Sequence, residues 1–245
     1  MNPSCIIIEI KPQEIRRFTF TISDVWGYAD LLMHILQFMI SYVSRVNSLK
    51  LRQNDFYSYI KMTSVDSNRI FIYISKDKYI SVINPFNYHI ESGRINFRLN
   101  GIVITEKICS NIISIILDWK NNGGNRSLGV FEFLASYDDE DIDPNSFVVL
   151  EQLLLTEPGY IRHDDDIQNQ RGLIHPRTHF DINFSKKATF KIGTYDMYDA
   201  KNFEGLFCKN EDCKFLYDYQ ERSLIKRQKL KKKTKKNKKN GKRKV

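Results

Sequence analysis

Arg69-Ile70-Phe71-Ile72-Tyr73-Ile74-Ser75-Lys76-Asp77-Lys78-Tyr79-Ile80-Ser81-Val82-Ile83-Asn84 sets two β-branched, aromatic runs on either side of the polar pair Lys76-Asp77. Runs of this kind around a short polar turn predict a hairpin over 69–75 and 78–84. Arg94–Leu99 alternates apolar and polar residues and carries the strand territory on to residue 99. Upstream, Cys5–Ile10 is apolar and β-branched and Phe18–Ile22 alternates, so both read as short strands. Ser23 is expected to cap a helix over about 23–46, with Asp24 at its positive end and Arg45 at its negative end. Trp26, Leu31, Leu32, Ile35, Leu36, Met39 and Ile40 leave little of that helix polar, which describes a buried, central element.

Downstream, Thr105 starts a second helix with Ile108, Ile112, Ile115, Ile116 and Trp119 at helical spacing. It stops at Asn121-Asn122-Gly123-Gly124. Val130–Leu134 reads as a strand and 137–143 as an acidic loop. Asp143-Pro144 opens a helix that runs to Thr156, before Pro158-Gly159. Hairpins mixed with helices favour an α+β fold, a mainly antiparallel sheet packed against the 23–46 helix and further helices. A single domain over 1–221 and a basic tail over 222–245 are expected.

The charge is unevenly spread. The chain has 245 residues and a formal charge of +9, from 38 basic and 29 acidic side chains. Residues 222–245 hold 14 Lys and Arg and no acid, leaving 24 basic against 29 acidic residues over 1–221. The body is therefore −5 and the tail +14. That asymmetry points to a polyanion-binding tail rather than a basic groove. The tail residues Lys229, Lys231, Lys232, Lys233, Lys235, Lys236, Lys238, Lys239, Lys242, Arg243 and Lys244 are interleaved with polar residues and no aromatic. Such a segment is expected to stay disordered and to bind nucleic acid, RNA or DNA, through phosphates and without base preference. No membrane partner is expected, because the longest apolar stretch, 31–43, is interrupted by His34 and Gln37 and falls short of the ~20 residues of a span. Met1-Asn2-Pro3-Ser4 lacks a basic start and an apolar run, so no leader is expected and a reducing, cytoplasmic setting is.

The chemistry-bearing residues concentrate in Ile174-His175-Pro176-Arg177-Thr178-His179-Phe180-Asp181-Ile182-Asn183-Phe184. Read as one strand, His175, Arg177, His179, Asp181 and Asn183 share a face. His175, His179 and Asp181 are the candidate catalytic residues, and Arg177 and Lys191 candidate nucleic-acid contacts. Same-face neighbours lie ~6.7 Å apart and His175 and His179 ~13 Å apart, so the two histidines are not expected to share an ion. His179-Phe180-Asp181 resembles part of a facial iron triad, whose third ligand would have to come from His163, His89 or His34. Tyr160-Ile161-Arg162-His163-Asp164-Asp165-Asp166 is a loop that brings candidate metal ligands His163 and Asp164. An exposed polar sheet face is the simplest reading of the whole segment. Cys208 and Cys213 have C-x₄-C spacing, yet no second close pair completes a zinc site, so they are expected to pack, with no cofactor.

Glu157-Pro158-Gly159-Tyr160-Ile161-Arg162, with His175–Asp181 and Thr189-Phe190-Lys191-Ile192-Gly193, resembles an uncharacterised bacterial family of unknown function over residues 157–193. The resemblance implies a mobile-element or phage-defence gene set and carries over no catalytic residue. The leading expectation is a nucleic-acid-associated binding protein. Its alternatives are a nuclease or other phosphoester hydrolase using His175, Arg177, His179 and Asp181, and an interaction subunit that docks a protein partner.

Overall fold

The computed structural model describes residues 5–20, 22–42, 57–64, 67–91, 94–121, 130–137, 141–184 and 190–211. The chain divides into two units, Met1–Lys209 and Asn210–Val245, and every element below belongs to the first. The expected boundary at 221/222 and the basic tail lie outside the described residues.

Strand β1 (Cys5–Glu9) buries Ile6 and Ile8 on one face. The next segment corrects an expectation. The expected strand over 18–22 is absent among its described residues, which follow a 3-10 turn over Pro12–Arg17 closed by Phe18 N–H donating to Ile15 O at 3.0 Å. Pro12 suits the first position of that turn because it has no N–H to leave unpaired. Phe18 is buried edge-on against Phe38 at 5.3 Å, so its apolarity serves a loop anchor and not a strand face.

Helix α1 (Val25–Tyr42) begins one residue later than a Ser23 cap implies. Asp24, not Ser23, is its cap: the carboxylate accepts from Gly27 N–H at 2.9 Å, and Asp24 O accepts from Tyr28 N–H. Leu32, Met33, Ile35, Leu36 and Met39 are all fully buried, as a helix apolar around most of its circumference requires. The expected continuation to residue 46 lies outside the described residues.

The principal sheet runs, in spatial order, through β1 and the segments 59–63, 69–74, 78–83, 161–165, 178–182 and 190–193, and each neighbouring pair is antiparallel. Its strands β2 (Tyr59–Thr63), β3 (Arg69–Ile74) and β4 (Lys78–Ile83) include the expected hairpin, with Ser75 in the left-handed region at its turn. A second sheet holds β5 (Asn87–Glu91), β6 (Arg94–Leu99) and β7 (Ile102–Ile104). Asn100-Gly101, both at positive φ, is the two-residue turn that a tight β6–β7 hairpin demands.

Helix α2 (Glu106–Asn121) is capped by Thr105 Oγ1, which accepts from Ile108 N–H at 3.2 Å. Cys109 is buried in it, and burial pushes its thiol up to about 12, as befits a packing cysteine. Residues 130–134, expected as a strand, belong to helix α3 (Val130–Ser136). Phe133 lies edge-on to Trp119 at 4.9 Å, and Trp119 stacks on Trp26 at 4.6 Å, so the aromatic cluster selects the helix. Asp143 caps α4 (Pro144–Leu155) as its spacing predicts, accepting from Asn145 N–H at 2.9 Å. Among the described residues no helix is long and apolar enough to cross a membrane.

The remaining strands are β8 (Ile161–Asp165), β9 (Thr178–Ile182) and β10 (Phe190–Gly193), followed by α5 (Ala200–Gly205). On one face of the principal sheet, β1–β4 present Ile6, Ile8, Ile60, Met62, Ile70, Ile72, Ile80 and Val82 to the core containing α1, α2 and α4. The opposite face carries Tyr59, Phe71, Tyr73, Tyr79 and Phe180 around Phe203 of α5. Glu204 fixes α5 there by accepting from Lys61 Nζ at 2.7 Å and Tyr73 Oη at 2.8 Å.

Candidate functional site

Strands β8, β9 and β10 place five charged or imidazole side chains on one sheet face. The register aligns Arg162 with Asp181 and Asp181 with Lys191, while Asp164 faces His179. Arg162 itself pairs with Ile80 of β4, so this is the continuation of the apolar core face. Beyond β4 that face turns ionic. Period two puts Arg162 and Asp164 together and sends His163 to the other side.

The network is nearly sealed. Asp181 and His179 are each 1% exposed and Asp164 6%. Arg162 Nε donates to Asp164 Oδ2 at 2.5 Å and its Nη2 donates to Asp181 Oδ2. Lys191 Nζ donates to Asp181 Oδ1 at 2.5 Å and lies 3.1 Å from His179 Nε2. His179 Nδ1 meets Pro176 O at 2.9 Å, which places the N–H on Nδ1 and leaves Nε2 to accept from Lys191. Burial works against the charge on Arg162, but Tyr160, Asp164 and Asp181 outweigh it and hold its pKa above the ordinary value. Two cations against two carboxylates leave the cluster formally neutral, which is how buried charge is tolerated.

One oxygen stands apart. Asp164 Oδ1 is buried and has no hydrogen-bond partner. One donor atom each from Asp164, His179 and Asp181 lies within 4.8 Å of the other two. His179 Nε2 is 3.7 Å from Asp181 Oδ2. Two carboxylates and an imidazole at such spacing are a donor set suited to a divalent transition cation.

The expectation of one strand over 174–184 is corrected. Only 178–182 is strand, and the chain turns at 171–175, where Arg171 and His175 form a single bridge and Gly172 adopts positive φ. His175 and His179 are therefore not ~13 Å apart as strand spacing requires. Their ring centroids are 4.8 Å apart with the planes nearly perpendicular. The expectation of an exposed polar face fails as well, because His179 and Asp181 are buried. His175 Nε2 lies 3.4 Å from Asp166 Oδ2. Arg177, half exposed, clamps Asp165 through Nε and Nη2 at 2.5 and 2.8 Å, and those bonds hold the Asp165 carboxyl below its usual range.

His163 does not join the cluster. It stacks on Phe180 at 4.1 Å and shares a hydrogen bond with Thr194 Oγ1 at 3.0 Å. Burial, reinforced by His179 and opposed by Asp165, takes its pKa down to about 4. His34 is bonded to Asp30 in α1, and His89 pairs loosely with Glu91 in the second sheet, so neither supplies a third ligand. Cys208 is a free, half-buried thiol, and Cys213 lies outside the described residues. The residue that sequence reasoning missed is Arg162. Its signal was the Arg-x-Asp alternation of β8, hidden because 160–166 reads as an acidic loop. Compared with protein-family models, with curated proteins and with solved structures, the chain finds no match.

Proposed function

We propose that this is a cytoplasmic, nucleic-acid-associated binding protein whose affinity resides in the lysine-rich segment 222–245. The carrying observation is the charge distribution, +14 on that segment against −5 on residues 1–221. Arg177 and Lys191, the candidate contacts on the folded part, already carry ion pairs with Asp165 and Asp181. Both charges are already offset by those carboxylates, which favours the basic segment as the main source of phosphate contacts. An anionic polymer neutralised by lysines releases counterions, so binding should be sequence-blind and fall steeply with salt.

Fluorescence anisotropy with random-sequence RNA and DNA tests this reading. For six contacted phosphates on a single strand, the slope of log affinity against log salt should be roughly −4. Deleting 229–245 should abolish most binding and leave the thermal midpoint within a degree or so, because Leu230 and Val245 are the only apolar side chains removed with it. Equal affinity with and without the segment would reject the proposal. Hydrolysis at the β8–β10 face is the competing reading, favoured by the convergence of Asp164, His179 and Asp181. Under the binding reading, nuclease assays with Mg²⁺ or Mn²⁺ stay at background, whereas a wild-type activity eliminated by His179→Ala would replace it.

A further inference from the structure

We propose that Asp164, His179 and Asp181 form a site for one first-row divalent cation of the Mn²⁺ to Zn²⁺ series, entered by displacement of the Lys191 ammonium. The inference is independent of nucleic-acid binding and holds whether or not the protein hydrolyses anything.

Three observations lead there. The donors come from adjacent strands and already lie within 4.8 Å of one another. Ligands around one ion at ~2.1 Å stand roughly 3 Å apart, so closing the set needs side-chain shifts of an ångström or less. Next, Asp164 Oδ1 has no partner although the residue is 6% exposed, and a buried carboxylate oxygen left unsatisfied is costly enough to demand an explanation. Finally, the supporting bonds match those around metal ligands. Arg162 holds Oδ2 of both carboxylates, and Pro176 O fixes the His179 tautomer with Nε2 toward the cluster. Such outer bonds orient ligands for an ion.

Lys191 occupies the place of that ion. Its ammonium contacts Asp181 Oδ1 and His179 Nε2, two of the three donors, and its side chain is 30% exposed at the sheet edge. It is the member of the cluster able to withdraw into solvent. Exchange of a monocation for a dication raises the local charge by one, which opposes tight binding. Imidazole among the donors favours Mn²⁺ or Zn²⁺ over Mg²⁺ and Ca²⁺.

The test is titration of chelator-stripped full-length protein with Mn²⁺, following the free ion by electron paramagnetic resonance. Mn²⁺ avoids the thiols of Cys208 and Cys213, which compete for Zn²⁺. One ion per chain is expected. Asp164→Asn and His179→Gln should each weaken binding ~30-fold or more. Lys191→Met, which removes the competing cation, should tighten it about tenfold. An undiminished free-ion signal for wild type and Lys191→Met at millimolar Mn²⁺ would overturn the site, as would unchanged binding by a folded Asp164→Asn. If circular dichroism shows that Asp164→Asn does not fold, Lys191→Met decides: tighter binding supports the site, and equal or weaker binding rejects it.

Discussion

At the scale of single residues, His163 and His179 show how one register step separates two chemistries. They sit on opposite faces of the same sheet, His179 among charges and His163 against the ring of Phe180. His163 stays neutral in the folded protein down to about pH 4, while an unfolded chain protonates it near 6.5. Between those values the unfolded state binds a proton that the folded state refuses. Stability from this group is therefore complete above about pH 6.5 and declines by up to about 3 kcal/mol as pH falls toward 4. Urea midpoints of metal-free wild type and His163→Phe at pH 7, 5.5 and 4.5 should converge or cross as the pH drops. A gap that stays constant would contradict the assignment. Period-two reading of the sequence found His179 and Asp181 but extended their strand too far, because Gly172 and Pro176 turn the chain before His175 reaches it. It also took Asp164 as a loop residue beside His163, where the pleat of β8 turns the two away from each other.

Among the elements, what was legible depended on length. Helices α1, α2 and α4 carry periodic apolar positions over several turns, and the caps Thr105 and Asp143 are legible in the sequence, whereas that of α1 falls on Asp24, one residue after the expected Ser23. The short stretch 130–134 fits a strand and a helix equally well over five residues. Only the distant partners Trp26 and Trp119 decide it, and no local pattern names them. The start of α1 gives a direct check. Asp24→Ala should lower stability by about 1 kcal/mol, since the carboxylate satisfies an orphan N–H of the first turn. Ser23→Ala, one residue earlier, should change the urea midpoint by far less. A larger effect from Ser23→Ala than from Asp24→Ala would mean that the first turn is capped as the sequence alone implied.

For the molecule as a whole, the informative contrast lies between the faces of the principal sheet. One is aromatic from β2 across to β9, and the other changes from isoleucine to ions between β4 and β8. The antiparallel sheet and the α+β class were readable from hairpin and helix signals. The seam was not, because strands β4 and β8 are neighbours in space only. A sequence read in order gives no sign that Arg162 will lie beside Ile80.

That seam also orders events in time. Strands β1 to β4 join through neighbours in the chain, apart from the α1 segment between β1 and β2, and β8 to β10 form a second local meander. Pairing β4 with β8 must close the whole stretch 84–160, at a chain-entropy cost of roughly 4 kcal/mol if that stretch is still unstructured. The closure is cheaper once the second sheet and α2 to α4 have shortened the gap, so docking of the β8–β10 meander is expected to follow the rate-limiting step. Stopped-flow kinetics should then show Ile72→Val mainly slowing folding and Phe180→Leu mainly accelerating unfolding. On the ribosome the same order means that the apolar meander emerges and pairs before any residue of the ionic cluster has been synthesised. The half-made protein would carry β4 as a temporarily open edge, and the arrival of β8 would close it.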